Sequence, residues 1–147
     1  MSFTIRRATH EDKPDWLRLR QKLWPEAPVE YLAFDLDDKL ANGRYAVFIA
    51  FGAQGHPVAF IETGLRESGE GCETSPVGYI EAWYVDEQIR GQNIGRELVY
   101  NAEQWAREKG CAEMASDTWL DNEASISAHL KLGYEEVERL VHFVKRL

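Results

Sequence analysis

The sequence predicts an α/β (α+β) domain, a mixed central β-sheet flanked by helices in the order β-α-α-β-β-β-α-β-α-β-β. Three observations carry that expectation. The β-forming run Val77 to Val85 leads through Arg90-Gly91-Gln92-Asn93-Ile94-Gly95 into a long helical pattern, which is a strand, a turn and a helix. In that pattern Ile94, Leu98, Ala102 and Trp105 form one apolar stripe widened by Val99 and Ala106, and Gly110 supplies the C-terminal stop. Finally, 147 residues with 44% hydrophobic and 12% aromatic content suit one domain, residues 1–147, around one core.

Phe3 to Arg7 reads as the opening strand. Thr9, with Asp12 three residues on, can cap a helix whose apolar side is Trp16, Leu19 and Leu23, until Trp24-Pro25 stops it. Val29 to Leu40 fits one further helix, with Val29, Leu32, Leu36 and Leu40 at helical spacing and Asn42-Gly43 as its exit. Tyr45 to Phe51 and Val58 to Leu65 are strands around the turn Gly52 to Pro57, and Arg66 to Pro76 is a loop carrying Glu67, Glu70 and Glu73. After the central strand and helix, Cys111 to Thr118 reads as a strand and Asn122 to Leu132 as a helix stopped at Gly133. Glu135 to Leu147 holds two short strands, the last being Val141 to Val144. No internal repeat or low-complexity tract interrupts this order.

Lys plus Arg number 17 against 25 Asp plus Glu, a net charge of −8, which disfavours a nucleic-acid backbone as partner and suits a cationic ligand. No apolar run is long enough to span a bilayer and no signal segment opens the chain, so a cytoplasmic location and no membrane partner are expected. Cys72 and Cys111 lack CxxC spacing or histidine companions, so they read as free thiols and no metal site is expected.

A turn rich in Gly and Asn that enters a helix gathers backbone N–H groups in one concavity, and the helix dipole adds partial positive charge, which favours a phosphate or pyrophosphate. The turn lacks the Gly-Lys-Ser/Thr end of a phosphate-hydrolysing P-loop and the G-x-G-x-x-G of a dinucleotide fold. Arg90, Asn93 and Gly95 instead resemble the acetyl-coenzyme A loop of the GCN5-related N-acetyltransferases, Arg/Gln-x-x-Gly-x-Gly/Ala. The departure is Asn93, where the family usually has Gly; Asn is the non-glycine residue most tolerant of a left-handed backbone. Asn122 through Leu132-Gly133-Tyr134 resembles the family's late helix, with His129 where the family commonly has a tyrosine that protonates the departing thiolate.

Within the family, Leu23-Trp24-Pro25, Gly71 to Pro76, Glu81, Glu113 to Thr118 and the tail Glu135 to Arg146 resemble the bacterial aminoglycoside 6′-N-acetyltransferases. That resemblance implies acetyl transfer from acetyl-coenzyme A to the 6′-amine of an aminoglycoside, in a homodimer. It implies coenzyme contacts from Arg90, Gln92, Asn93, Ile94, Gly95, Arg96 and Asn122. A free backbone N–H near Tyr84 or Val85 would polarise the thioester carbonyl.

Amine acylation needs an unprotonated nitrogen, yet an acidic pocket favours the ammonium form, so a base is required. Glu81, inside an apolar strand, is costly to bury unpaired and is the first candidate; Asp117 at a strand end is the second. His129 is the candidate acid. Trp24, Glu73 and Glu138, with Glu81 and Asp117, are candidates for holding the sugar rings and their other ammonium groups. Acetylation of a polyamine or protein amine, and a non-catalytic acyl-coenzyme A-binding module, remain alternatives.

Overall fold

Three antiparallel pairings and one parallel pairing build the sheet in this computed structural model, which describes residues 2–147. Strands β1 (Thr4–Arg7), β2 (Tyr45–Phe51), β3 (Pro57–Arg66) and β4 (Val77–Val85) are successive antiparallel neighbours, and β5 (Met114–Ser116) lies parallel to β4. A parallel neighbour requires a crossover, which α4 (Ile94–Glu108) supplies.

Strand β2 is buried along its middle and serves both faces of the sheet by simple alternation. Ala46, Phe48 and Ala50 meet the apolar side of α4 at Leu98, Ala102 and Trp105, while Val47 and Ile49 meet Trp16 and Leu19 of α1 (Lys13–Leu23) on the other face. Asp12 accepts from the Thr9 amide at 2.7 Å, closing the turn that leads into α1 as its sequence spacing predicts.

Strand β4 does not alternate simply. Glu62 of β3 faces Ala82, yet the next residue, Thr63, faces Ile80, so Glu81 is an extra residue in a β-bulge. The bulge reverses the phase of the strand: Ile80 and Ala82 belong to opposite core clusters although they are two apart, while Trp83 and Val85 return to the face of Ile80.

Three expectations are corrected. The helix expected over Val29 to Leu40 is two, α2 (Val29–Ala33) and α3 (Leu36–Ala41). The buried guanidinium of Arg20 takes the Leu32 carbonyl at 2.6 Å, the acceptor that Leu36 N–H would use, and Asp35 at 2.8 Å. The strand expected over Cys111 to Thr118 shrinks to β5, because β4 bends at the bulge after the rung Ile80–Ser116. The two tail strands are absent among the described residues: 135–147 pairs with no strand of the sheet, leaving Phe143 93% and Val144 80% exposed.

A charged network ties the helices to the sheet. Glu62, 2% exposed, takes Arg20 through both oxygens at 2.7 Å and the Trp16 indole N–H at 2.8 Å. Burial opposes the Arg20 charge, but Glu62 and Asp35 outweigh it and hold the guanidinium firmly protonated. No described helix is long and apolar enough to cross a membrane.

Candidate active site

Strands β4 and β5 part company at the bulge. Their last shared rung is Ile80–Ser116, after which Ala82 to Val85 pair with β3 on one side and have no strand on the other. Backbone N–H groups on that open edge, where Tyr84 and Val85 lie, are available to an extended ligand, whereas the Val85 carbonyl is taken by Arg90.

The same strand runs directly into the anion turn. Gly91 (φ 86°) and Asn93 (φ 68°) both adopt the left-handed conformation, so Asn93 performs the turn for which the family usually uses Gly. The Asn93 carbonyl starts the ladder of α4 by accepting from Glu97 at 3.0 Å, leaving the amides of Ile94, Gly95 and Arg96 without helical partners. A Cβ on Gly95 would lie 3.2 Å from the Trp83 ring and 3.3 Å from Val85, so glycine brings the helix end against β4. This cradle fits a pyrophosphate at its rim. Arg90 turns back, donating to the Val85 carbonyl at 2.8 Å with its guanidinium 5.7 Å from the Tyr84 ring centre; the Gln92 side-chain oxygen is buried and unpartnered. Asn122 caps α5 (Glu123–Lys131) by accepting from the Ser125 amide at 3.1 Å, which accounts for it locally without a coenzyme. Replacing Gly95 with Ala is expected to lift the helix end off β4 and weaken acetyl-coenzyme A binding about tenfold, equal to 1.4 kcal/mol, measured by calorimetry.

Upstream of the turn lies a polar cluster drawn from β3, β4 and the residue that follows β5. Glu81 is not the unpaired carboxylate expected from its apolar neighbours: Arg66 Nε and Nη2 hold its oxygens at 2.9 and 2.7 Å. The Arg66 guanidinium lies 3.4 Å from the centre of the Tyr79 ring, and the Tyr79 hydroxyl donates to Asp117. Burial and then Asp117 push the Tyr79 phenol well above its usual range, so it stays a donor.

Glu113, just before β5, accepts from the amides of Glu73 and Thr74 at 2.8 and 2.7 Å and from the Thr74 hydroxyl. Those bonds, the hydroxyl first, hold its carboxyl below the usual range; the anchoring they provide is present above that range and lost as pH falls through the lowered value. Glu73 thus sits on an anchored loop, with its own side chain exposed. Val137 lies against Gly71 of that loop, which brings the segment containing Glu138 over it. Trp24 ends α1 half-buried against the second core cluster, 5.9 Å from the Arg20 guanidinium, a packing position.

His129 of α5 approaches β5 from the α4 side of the sheet, the face of Ile80, opposite to Tyr79 and Asp117. Its Nδ1 is 2.7 Å from the Ser125 carbonyl and its Nε2 is 2.8 Å from Ser116 Oγ. Trp83 and Tyr134 meet the ring edge to face at 5.2 and 5.8 Å. Residue-type reasoning missed Arg66, Tyr79, Glu113 and Ser116. The β3–β4 register sets Arg66 opposite Val77, and its guanidinium reaches Glu81 only by lying along the Tyr79 ring, which no sequence pattern foretells; nothing local marks Ser116 apart from its place beside Asp117.

A glycine-tight helix end beside an open strand edge, reached through a left-handed turn, is the architecture of an acyl-coenzyme A-dependent transferase. The profile of the Acetyltransferase (GNAT) family matches residues 9–134, and the chain belongs to that family. It is 43% identical over 143 residues to the aminoglycoside N(6′)-acetyltransferase type 1 of Stenotrophomonas maltophilia, covering 95% of this chain and 91% of the relative. The enzyme of the same name from Klebsiella aerogenes is 40% identical over 147 residues, covering 97% and 96%. Among solved structures, AAC(6′)-Iy in complex with the bisubstrate analog CoA-S-monomethyl-acetylneamine superposes with a TM-score of 0.92 at 33% identity over 100% of both chains. The mixed α/β sheet expected from the sequence is therefore the family's fold.

Proposed function

We propose that this protein transfers the acetyl group of acetyl-coenzyme A to the 6′-amino group of aminoglycosides by direct attack in a ternary complex. The observation that carries this reading is that β4 brings Glu81, in a carboxylate cluster shared with Asp117, and the anion-binding turn after its end to the two sides of an open backbone edge. The names of the relatives support it. The amides of Gln92 to Arg96 hold the pyrophosphate, an N–H of the Tyr84–Val85 edge faces the acetyl oxygen, and acetyl-coenzyme A supplies the acetyl group. Glu81 and Asp117, with Glu73 and Glu138, bind the ammonium groups of the sugar, and the partly exposed face of Trp24 is offered to its rings. No metal enters this scheme.

A homodimer fits the exposed apolar tail, since Val141, Phe143 and Val144 offer a surface that a second copy would cover. Cytoplasmic residence fits the free thiols of Cys72 and Cys111. The test supplies purified protein with acetyl-coenzyme A and, separately, kanamycin-type aminoglycosides, a 6′-hydroxyl analogue, spermidine and a basic peptide, and follows thiol release. Turnover is expected with the 6′-amino compounds. No turnover with any amine would overturn the enzyme reading; equal turnover of the 6′-hydroxyl compound would overturn the position of attack; preferred turnover of spermidine would reassign the substrate to polyamines.

A further inference from the structure

Two guanidinium–carboxylate pairs in this chain use both carboxylate oxygens, and they differ in burial. Arg20 and Glu62 are both buried, and Arg20 has Asp35 and the Leu32 carbonyl as further acceptors. Arg66 and Glu81 lie nearer the surface, with side chains 44% and 23% exposed, and among the described residues the Arg66 guanidinium donates to Glu81 alone. A pair left in contact with water is weak and exchangeable, whereas the Arg20 pair is fixed by the cost of orphaning a buried charge. What the Arg66 guanidinium rests on is a seat for a cation. The Tyr79 ring is its floor, with the ring centre 3.4 Å from the guanidinium carbon, and Glu81 is its wall at 2.7 and 2.9 Å. Asp117, which accepts from the Tyr79 hydroxyl, adds a second negative charge. An aromatic face beside carboxylates recognises an ammonium as well as a guanidinium. Two cations in contact repel, so an ammonium takes this seat only when the guanidinium leaves it. The backbone of Arg66, the last residue of β3, stays paired opposite Val77 when its side chain swings away.

We propose that Arg66 is a resident cation that fills the seat formed by Glu81 and Tyr79 in the free protein and is displaced from it by an ammonium group of a polycationic substrate; this rests on the amine-acetylation reading above. The exchange is cation for cation, so Glu81 is compensated in both states and no covalent bond changes. An incoming ligand has to outcompete a guanidinium tethered to the site at high effective concentration. That penalises a molecule with a single amine and favours one whose further ammonium groups reach Asp117, Glu73 and Glu138 together. Arg66 is thus a specificity-determining residue, setting how much positive charge a ligand must bring.

The test is calorimetry of a kanamycin-type aminoglycoside binding to the coenzyme A complex of the unmodified chain, Arg66→Gln, Glu81→Gln and the double variant, together with NMR of the arginine Nε–H groups. Arg66→Gln is expected to bind the aminoglycoside about tenfold more tightly, because nothing has to be displaced. In the Glu81→Gln background the same change should gain less than about threefold, since no pair remains to break. Unchanged or weaker binding in Arg66→Gln would overturn the proposal, and so would an equal gain with and without Glu81, the mark of net charge alone. In the NMR arm the unmodified chain is titrated with methylguanidinium chloride against sodium chloride of equal concentration. The Arg66 Nε–H resonance is expected to shift with methylguanidinium while that of Arg20 stays in place; an unmoved Arg66 resonance would overturn displacement. This arm judges the seat even if no aminoglycoside binds, an outcome that would overturn the proposed function itself.

Discussion

Replacing Glu62 with Ala is expected to cost about 3–5 kcal/mol of folding stability, the largest single effect in the chain. The carboxylate is 2% exposed and is the only described partner of the Trp16 indole N–H. Its removal leaves the Arg20 guanidinium, itself 4% exposed, with Asp35 and the Leu32 carbonyl alone. A buried cation that loses its main carboxylate costs more than the pair contributes, so chemical denaturation of Glu62→Ala should show a large fall in midpoint. The double change Glu62→Leu with Arg20→Met should recover much of it, since two apolar groups leave no buried charge. Equal losses in the single and double variants would show that the network itself, rather than the orphaned charge, holds α1 to β3.

The second large effect is expected at Asp117. Its exchange for Asn removes a charge while keeping the shape, and leaves the Tyr79 hydroxyl with a weaker acceptor. A charge-assisted contact to an ammonium contributes about 1.5–3 kcal/mol, so kcat/KM for a 6′-amino aminoglycoside should fall on the order of 10–150-fold. The fall should appear mainly in KM, with acetyl-coenzyme A affinity unchanged. Glu81→Gln should act in the same direction but less, because the guanidinium of Arg66 already screens that carboxylate. A fall confined to kcat in either variant would assign the role of base to that carboxylate.

The readable parts of the sequence were those governed by local rules. Strand β2 and helix α4 follow from alternation and from the 3.6-residue stripe, and the turn at Asn93 follows from the tolerance of Asn for the left-handed backbone. The break at Phe34–Asp35 was not legible, because the group that causes it, Arg20, lies on another helix. The same holds in the site. Glu81 and Asp117 stood out as carboxylates in β-forming runs, but whether they are paired depends on Arg66, reaching from β3 along the Tyr79 ring, and on Tyr79, brought to Asp117 by the parallel β4–β5 pairing. His129 was visible as a departure from a family pattern, whereas its partner Ser116 lies 13 residues away across a strand-to-helix connection. The tail strands failed for a different reason: Val141 to Val144 have the right composition for a strand, and composition does not bring the segment alongside a partner.

The bulge at Glu81 means that β4 contains one residue more than its packing uses. With residue 81 skipped, Ile80, Ala82, Trp83, Tyr84 and Val85 fall into unbroken alternation between the two core clusters. The core therefore reads the strand in a frame from which Glu81 is absent. Substitutions at that position are screened by chemistry and hardly at all by folding, and the length of β4, not only its residue types, encodes where the carboxylate cluster forms.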